Sequence, residues 1–109
     1  MKRVLILLLV IAASGCIQQI LPPGERGHSL RSAAAVKGQD VFIKNCNRCH
    51  PGGMGGLGPA IINKPLPGFL IKFQVREGLG AMPSFKKQQI SKADLDNLIE
   101  YIKERKLRK

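Results

Sequence analysis

The chain has no tryptophan, one tyrosine and four phenylalanines in 109 residues. A domain this small buries a modest fraction of its surface, so with few large side chains a bound cofactor is called for to complete the core. Acidic residues are also scarce: seven Asp and Glu stand against eighteen Lys and Arg, a formal charge of +11. That balance admits nucleic acid, anionic membrane or an acidic protein as partner and chooses none of them. Three cysteines are an odd number, too few for a disulfide framework. Only one apolar run is long enough to concern a membrane, and it sits at the very start. The length allows a single domain, and the composition is neither disordered nor collagen-like.

Lys2 and Arg3 precede the apolar run Val4 to Ala13, which ends in Ser14-Gly15-Cys16. A charged start, a short apolar stretch and small residues at the exit describe an export signal over residues 1–15. Ten helical residues span about 15 Å, half of a bilayer core, which argues against a permanent transmembrane helix there; ordinary signal cleavage nearby and an uncleaved N-terminal anchor are the alternatives. Ala13-Ser14-Gly15-Cys16 resembles the bacterial lipobox, which implies cleavage before Cys16 and a diacylglycerol on its sulfur. Residues 16–35, with Pro22-Pro23-Gly24 and no sustained period, read as a lipid-anchored tether, leaving 36–109 for the domain.

Val36, Val41, Phe42 and Ile43 fall at helical spacing and predict a first helix over Ala33–Asn45. Residues 51–68 hold six glycines and four prolines, too many for a regular element; a long loop inside a small domain is usually functional. Between Pro67 and Gly78 the pattern fits two structures. Phe69, Leu70 and Phe73 suit a helical stripe, whereas Ile71 to Arg76 alternates as a strand does. Ser91 is a good N-cap, Asp94 stands at N3, and Ile90 can staple Leu95. Leu95, Leu98, Ile99 and Ile102 continue the stripe of a last helix. The expected fold is all-α.

Cys46-Asn47-Arg48-Cys49-His50 is a C-x-x-C-H sequence, the haem attachment signature. Two thiols three positions apart at a helix end each reach one vinyl group of a porphyrin, and the adjacent imidazole then points at the iron. A zinc site needs four ligands, and only Cys16 and His28 remain outside the motif. A redox dithiol wants an α/β context that is absent. A disulfide across so small a loop stabilises little. One covalent haem c, joined through Cys46 and Cys49 and ligated by His50, is therefore expected.

The iron takes a sixth ligand from the far side. Met54 is four residues beyond His50, too near to pass around the haem edge. Met82 lies far enough along, within Gly78-Leu79-Gly80-Ala81-Met82-Pro83. The glycines let backbone approach the porphyrin, and Pro83 biases Met82 toward an extended conformation. Lysines and His28 are the competing donors; Met raises the potential where a second His lowers it.

Taken together, these parts resemble a class I c-type cytochrome, a small bacterial single-haem one. The resemblance covers about residues 36–104 and runs through Gly38-x-x-x-Phe42, Cys46-x-x-Cys49-His50, Gly58-Pro59, Arg76-x-Gly78-x-Gly80-Ala81-Met82-Pro83 and a final helix bearing Tyr101. It implies a cytochrome c-like fold of three to four helices around the haem, with 67–77 helical and Gly38 and Phe42 meeting Tyr101. It further implies that the Pro59 carbonyl accepts from Nδ1–H of His50, which fixes the ring and raises its basicity.

An iron filled on both faces has no open position for substrate, which points to a single-electron carrier and not an enzyme. The alternatives are a gas-binding or sensing haem protein with a labile Met ligand, or a cytochrome subunit of a membrane oxidoreductase complex. The expected partners are a redox donor and acceptor with acidic docking surfaces, steered by Lys64, Lys72, Lys86 and Lys87, and the membrane through Cys16. The basic tail Lys103 to Lys109 reads first as a frayed, solvated helix end and second as a membrane contact. Export and the lack of aromatics among the basic residues argue against nucleic acid. The expected place is outside the cytoplasm, on a bacterial membrane.

Overall fold

The computed structural model describes residues 30–107; the expected export signal over 1–15, Cys16 and His28 lie outside the described residues. Helix α1 runs Ala33–Asn45, the bounds that the apolar spacing predicts. Ser32 caps it from the extended region, its hydroxyl accepting from the Ala35 N–H at 3.0 Å. Ala33–Ala35, in the stretch read as tether, are thus already helical. Helix α2 is Gly68–Glu77 and helix α3 is Lys92–Lys106. No strand forms among the described residues. The described residues are all-α, as expected, with three α-helices.

Helix α1 packs on α3 through a glycine. A Cβ on Gly38 would lie 2.0 Å from the Asn97 carbonyl oxygen, so the two backbones touch where no side chain fits. One turn on, Phe42 meets Tyr101 with ring centroids 5.3 Å apart and planes tilted by 46°. Both rings are fully buried, along with Ile90, Leu98 and Ile102. Each such side chain contributes roughly 2 kcal/mol through removal from water.

The ambiguous stretch is helical, and its burial differs from the stripe that Phe69, Leu70 and Phe73 suggested. Ile71 and Val75 enter the core, while Phe69, Leu70 and Phe73 are exposed. The backbone of Gly68 rests on Ile99, where a Cβ would sit 2.9 Å from a methyl carbon. Lys72 pairs with Asp96 across to α3, so it is not a free steering charge. Arg76 donates to the carbonyls of Phe85 and Ile90 at 3.1 and 2.7 Å, which binds the end of α2 to the approach of α3.

Ser91 accepts from the Asp94 N–H at 3.1 Å, and Ile90 and Leu95 are buried as the hydrophobic staple requires. The far end of α3 corrects the reading of a frayed, solvated tail. Arg105 is 7% exposed, and Lys106 reaches the Leu66 carbonyl at 3.0 Å. Burial lowers the Lys106 pKa from its usual value. Among the described residues, no helix is long and apolar enough to cross a membrane.

Candidate functional site

The end of α1 becomes the start of the site. The Cys46 N–H still bonds the Phe42 carbonyl, and the Cys46 carbonyl then accepts from both Cys49 and His50, at 3.1 and 2.9 Å. Three chemically active side chains thereby share one turn. Both thiols are free and half-buried. Burial, followed by the neighbouring Cys49, pushes the Cys46 thiol up to about 12.

After His50 the chain makes a short 3₁₀ turn, Pro51–Gly53, an element that the glycine and proline content had argued against. Asn47 explains it: its side-chain oxygen accepts from the Gly52 N–H at 2.8 Å, and Gly52 adopts φ 62°, open to glycine at low cost. The loop then folds back on the motif. The Gly58 N–H bonds the Cys49 carbonyl at 2.8 Å, and Ile61 and Ile62 both donate to the Gly53 carbonyl.

The His50 ring is 8% exposed, with its Nδ1 2.7 Å from the Pro59 carbonyl oxygen. A carbonyl only accepts, so the proton sits on Nδ1 and the lone pair is left on Nε2. A Cβ on Gly58 would lie 2.3 Å from the ring carbon Cε1. The Gly58-Pro59 pair therefore does two things: the glycine leaves room for the imidazole and the proline orients it.

Arg105 is the functional-site neighbour that sequence reasoning missed. Its guanidinium donates to the Tyr101 hydroxyl at 2.8 Å and to the Gly52 carbonyl at 3.2 Å, and lies 5.7 Å from the Tyr101 ring centre. A signal was available: Arg105 stands at i+3 from Ile102 and i+4 from Tyr101, on the buried stripe.

Met82 lies on a tight turn. Leu79 and Met82 exchange backbone hydrogen bonds at 3.2 and 3.0 Å, with Gly78 and Gly80 at φ 71° and 57°. A Cβ on Gly78 would come within 2.6 Å of the Met82 carbonyl oxygen. The Met82 side chain is half-buried against the core. Met54 is 44% exposed, its sulfur 3.8 Å from the Asn63 amide. Among the described residues, no three His, Cys, Asp or Glu side chains gather as a metal-ion site. The donor set instead fits haem c: two thiols and one oriented, buried imidazole on a single turn, with a glycine cleared beside the ring.

The family described as cytochrome c oxidase, cbb3-type, subunit III matches residues 33–102. The cytochrome c subunit of 4-cresol dehydrogenase (hydroxylating) from Pseudomonas putida is 34% identical over 65 residues, covering 60% of this chain and 57% of that subunit. Cytochrome c6 of Bryopsis maxima is 35% identical over 75 residues, which is 60% of this chain and 84% of the relative. Cytochrome c6 of Synechocystis is 30% identical over 84 residues, 70% of this chain and 69% of the relative. No solved structure matches.

Proposed function

The chain belongs to the cytochrome c family and carries covalently bound haem c, and from that premise we propose a single-electron carrier of an extracytoplasmic electron-transport chain. In this reading Cys46 and Cys49 form the thioethers, and His50 and Met82 hold the iron from its two faces. The haem supplies a one-electron couple when bound. The protein's residues supply the rest: the Pro59 carbonyl holds the proton on Nδ1 of His50, Gly58 keeps the ring's space, and the Gly78–Met82 turn presents the thioether. The single observation that carries the reading is the 2.7 Å contact between Nδ1 of His50 and the Pro59 carbonyl, which leaves the Nε2 lone pair free for a metal.

The domain order proposed with it is an export signal over 1–15, a tether over 16–35 lipidated at Cys16, and the haem domain over 36–109. Its electron donor and acceptor are redox proteins, met through surfaces that include the exposed Lys64, Lys86 and Lys87. The relative that is a dehydrogenase's cytochrome subunit favours a second reading, in which the chain serves one oxidoreductase as its dedicated cytochrome.

The test is an optical spectrum and redox titration of the purified protein, with acid–acetone extraction and intact-mass measurement. Colour retained by the polypeptide, a six-coordinate low-spin spectrum and one reversible one-electron wave are expected. Haem extracted free by acid–acetone overturns the attachment. An unmodified Cys16 in the mature chain overturns the anchor.

A further inference from the structure

Helix α2 is apolar on two faces, and only one of them is used. Ile71 and Val75 fill the core, while Phe69 and Phe73, one turn apart, stay 74% and 63% exposed, with Leu70 beside them. Two phenyl rings left in water on one stripe are unusual for a small monomer and mark a contact surface.

The position of this stripe narrows what it meets. Gly68 rests on Ile99 and Lys103 of α3, and the Leu66 carbonyl takes a hydrogen bond from Lys106, so α2 begins beside the last turns of α3. Glu104, in that same stretch of α3, accepts from the backbone N–H groups of Arg31 and Ser32 at 2.9 Å each. The chain N-terminal to Leu30, which contains the apolar run and Cys16, therefore enters the domain at the end where the stripe starts.

The local charge is of one useful sign. Lys103 lies beside Gly68 at the first turn of α2, and Lys106 donates to the Leu66 carbonyl just before it. Of the two acids there, Glu100 is paired with Lys103 and Glu104 is engaged with backbone N–H groups. Exposed phenyl rings on a helix whose start is flanked by lysines, with long stems that can lie along apolar surface, form an amphipathic arrangement that binds at a headgroup boundary.

We propose that the Phe69–Phe73 stripe of α2 lies on an anionic lipid bilayer and fixes the orientation of the haem domain on it. The proposal rests on the exported, membrane-anchored reading for the tether that brings this end to the surface. Residues 17–29, fully extended, span at most about 45 Å, which keeps the stripe at high effective concentration beside the membrane. A second copy of the chain is the competing occupant, and it gives a different result below.

The full-length holoprotein is spin-labelled through Phe73→Cys and, separately, Leu57→Cys, then added to phosphatidylglycerol or phosphatidylcholine vesicles. On phosphatidylglycerol, oxygen accessibility at position 73 should rise and nickel-chelate accessibility fall by several-fold, with position 57 unchanged. Phe69→Ser/Phe73→Ser should retain the wild-type haem spectrum and lose tenfold or more in salt-sensitive vesicle affinity relative to a Leu57→Ser control. Equal water access at 73 and 57 on bound vesicles overturns the stripe while leaving the anchor standing. An intact mass without lipid, combined with a buried label at 73, removes the anchor and supports the stripe. A dimer in sedimentation velocity that the double serine variant abolishes overturns the proposal in favour of self-association.

Discussion

The Arg105 guanidinium donates to the Gly52 carbonyl at 3.2 Å, tying the end of α3 to the turn that follows His50. The same group holds the Tyr101 hydroxyl, and Tyr101 packs on Phe42 at the root of the Cys46 motif. Arg105 and Tyr101 together thus join the last helix, the first helix and the turn after His50. A buried cation with these acceptors is costly to remove, because the acceptors stay behind.

Replacing Arg105 by Met should therefore destabilise the holoprotein by about 2–4 kcal/mol, measured by denaturant unfolding. Arg105→Lys should recover only part of this, since an ammonium lacks the planar fork that serves two acceptors at once. If the Lys variant matches wild type, charge alone matters and the two-point tie is not the cause.

The glycines separate two kinds of cost. Gly58→Ala places a carbon 2.3 Å from the His50 ring, and Gly38→Ala places one 2.0 Å from the Asn97 carbonyl. The first should depress the yield of haem-loaded protein, read as Soret absorbance per polypeptide, because the imidazole must move. The second should cost about 3 kcal/mol or more in unfolding free energy by prising α1 from α3. Gly80→Ala meets nothing within 4 Å but holds φ 57°, so it should cost only about 1 kcal/mol.

Sequence alone reveals the elements whose physics is local and only part of what is non-local. The Ala33–Asn45 helix and the Ser91 cap are legible because spacing and capping act within a few residues. The stretch from Gly68 to Glu77 is not legible from its pattern. Ile71 and Val75 face the core while Phe69 and Phe73 face outward, and two apolar faces superpose into a period that fits helix and strand alike. Arg105 looks like a solvated tail residue in sequence for a similar reason, since its acceptor, Gly52, lies 53 positions away. The Cys46, Cys49 and His50 constellation is local in sequence and in space, so its geometry is fully legible. The closeness of Gly58 to the imidazole is a packing fact that spacing cannot supply.

Asp96 gives a pH prediction. Hydrogen bonds from Lys72 and then Lys92 hold its carboxyl at about 2, below its ordinary 3.8. The unfolded chain binds the proton more readily between these values, so stability falls as pH drops from about 4 toward 2 and is fully present above that window. Both partners are well exposed, so the effect is small and screened by salt. Asp96→Asn should flatten the acid limb of a urea-midpoint profile at low ionic strength and leave neutral-pH behaviour close to wild type. An unchanged acid limb would assign it to other carboxylates.

In the proposed ligation, Met82 decides between a closed carrier and an open sensor. The Gly78–Met82 turn is held by two backbone hydrogen bonds that do not involve the thioether, so Met82→Ala should remove the ligand while leaving the turn in place. Ferric wild-type protein should show the weak far-red charge-transfer band of Met-ligated haem. Met82→Ala should abolish it, lower the reduction potential, since a thioether ligand favours the ferrous state, and let the reduced iron take carbon monoxide. Met54→Ala should do none of these, because Met54 sits on the loop that leaves His50 and its sulfur is spent on the exposed Asn63 amide. Reduced wild-type protein that binds carbon monoxide readily would mean that Met82 yields its place to small ligands, and the carrier reading would give way to gas binding.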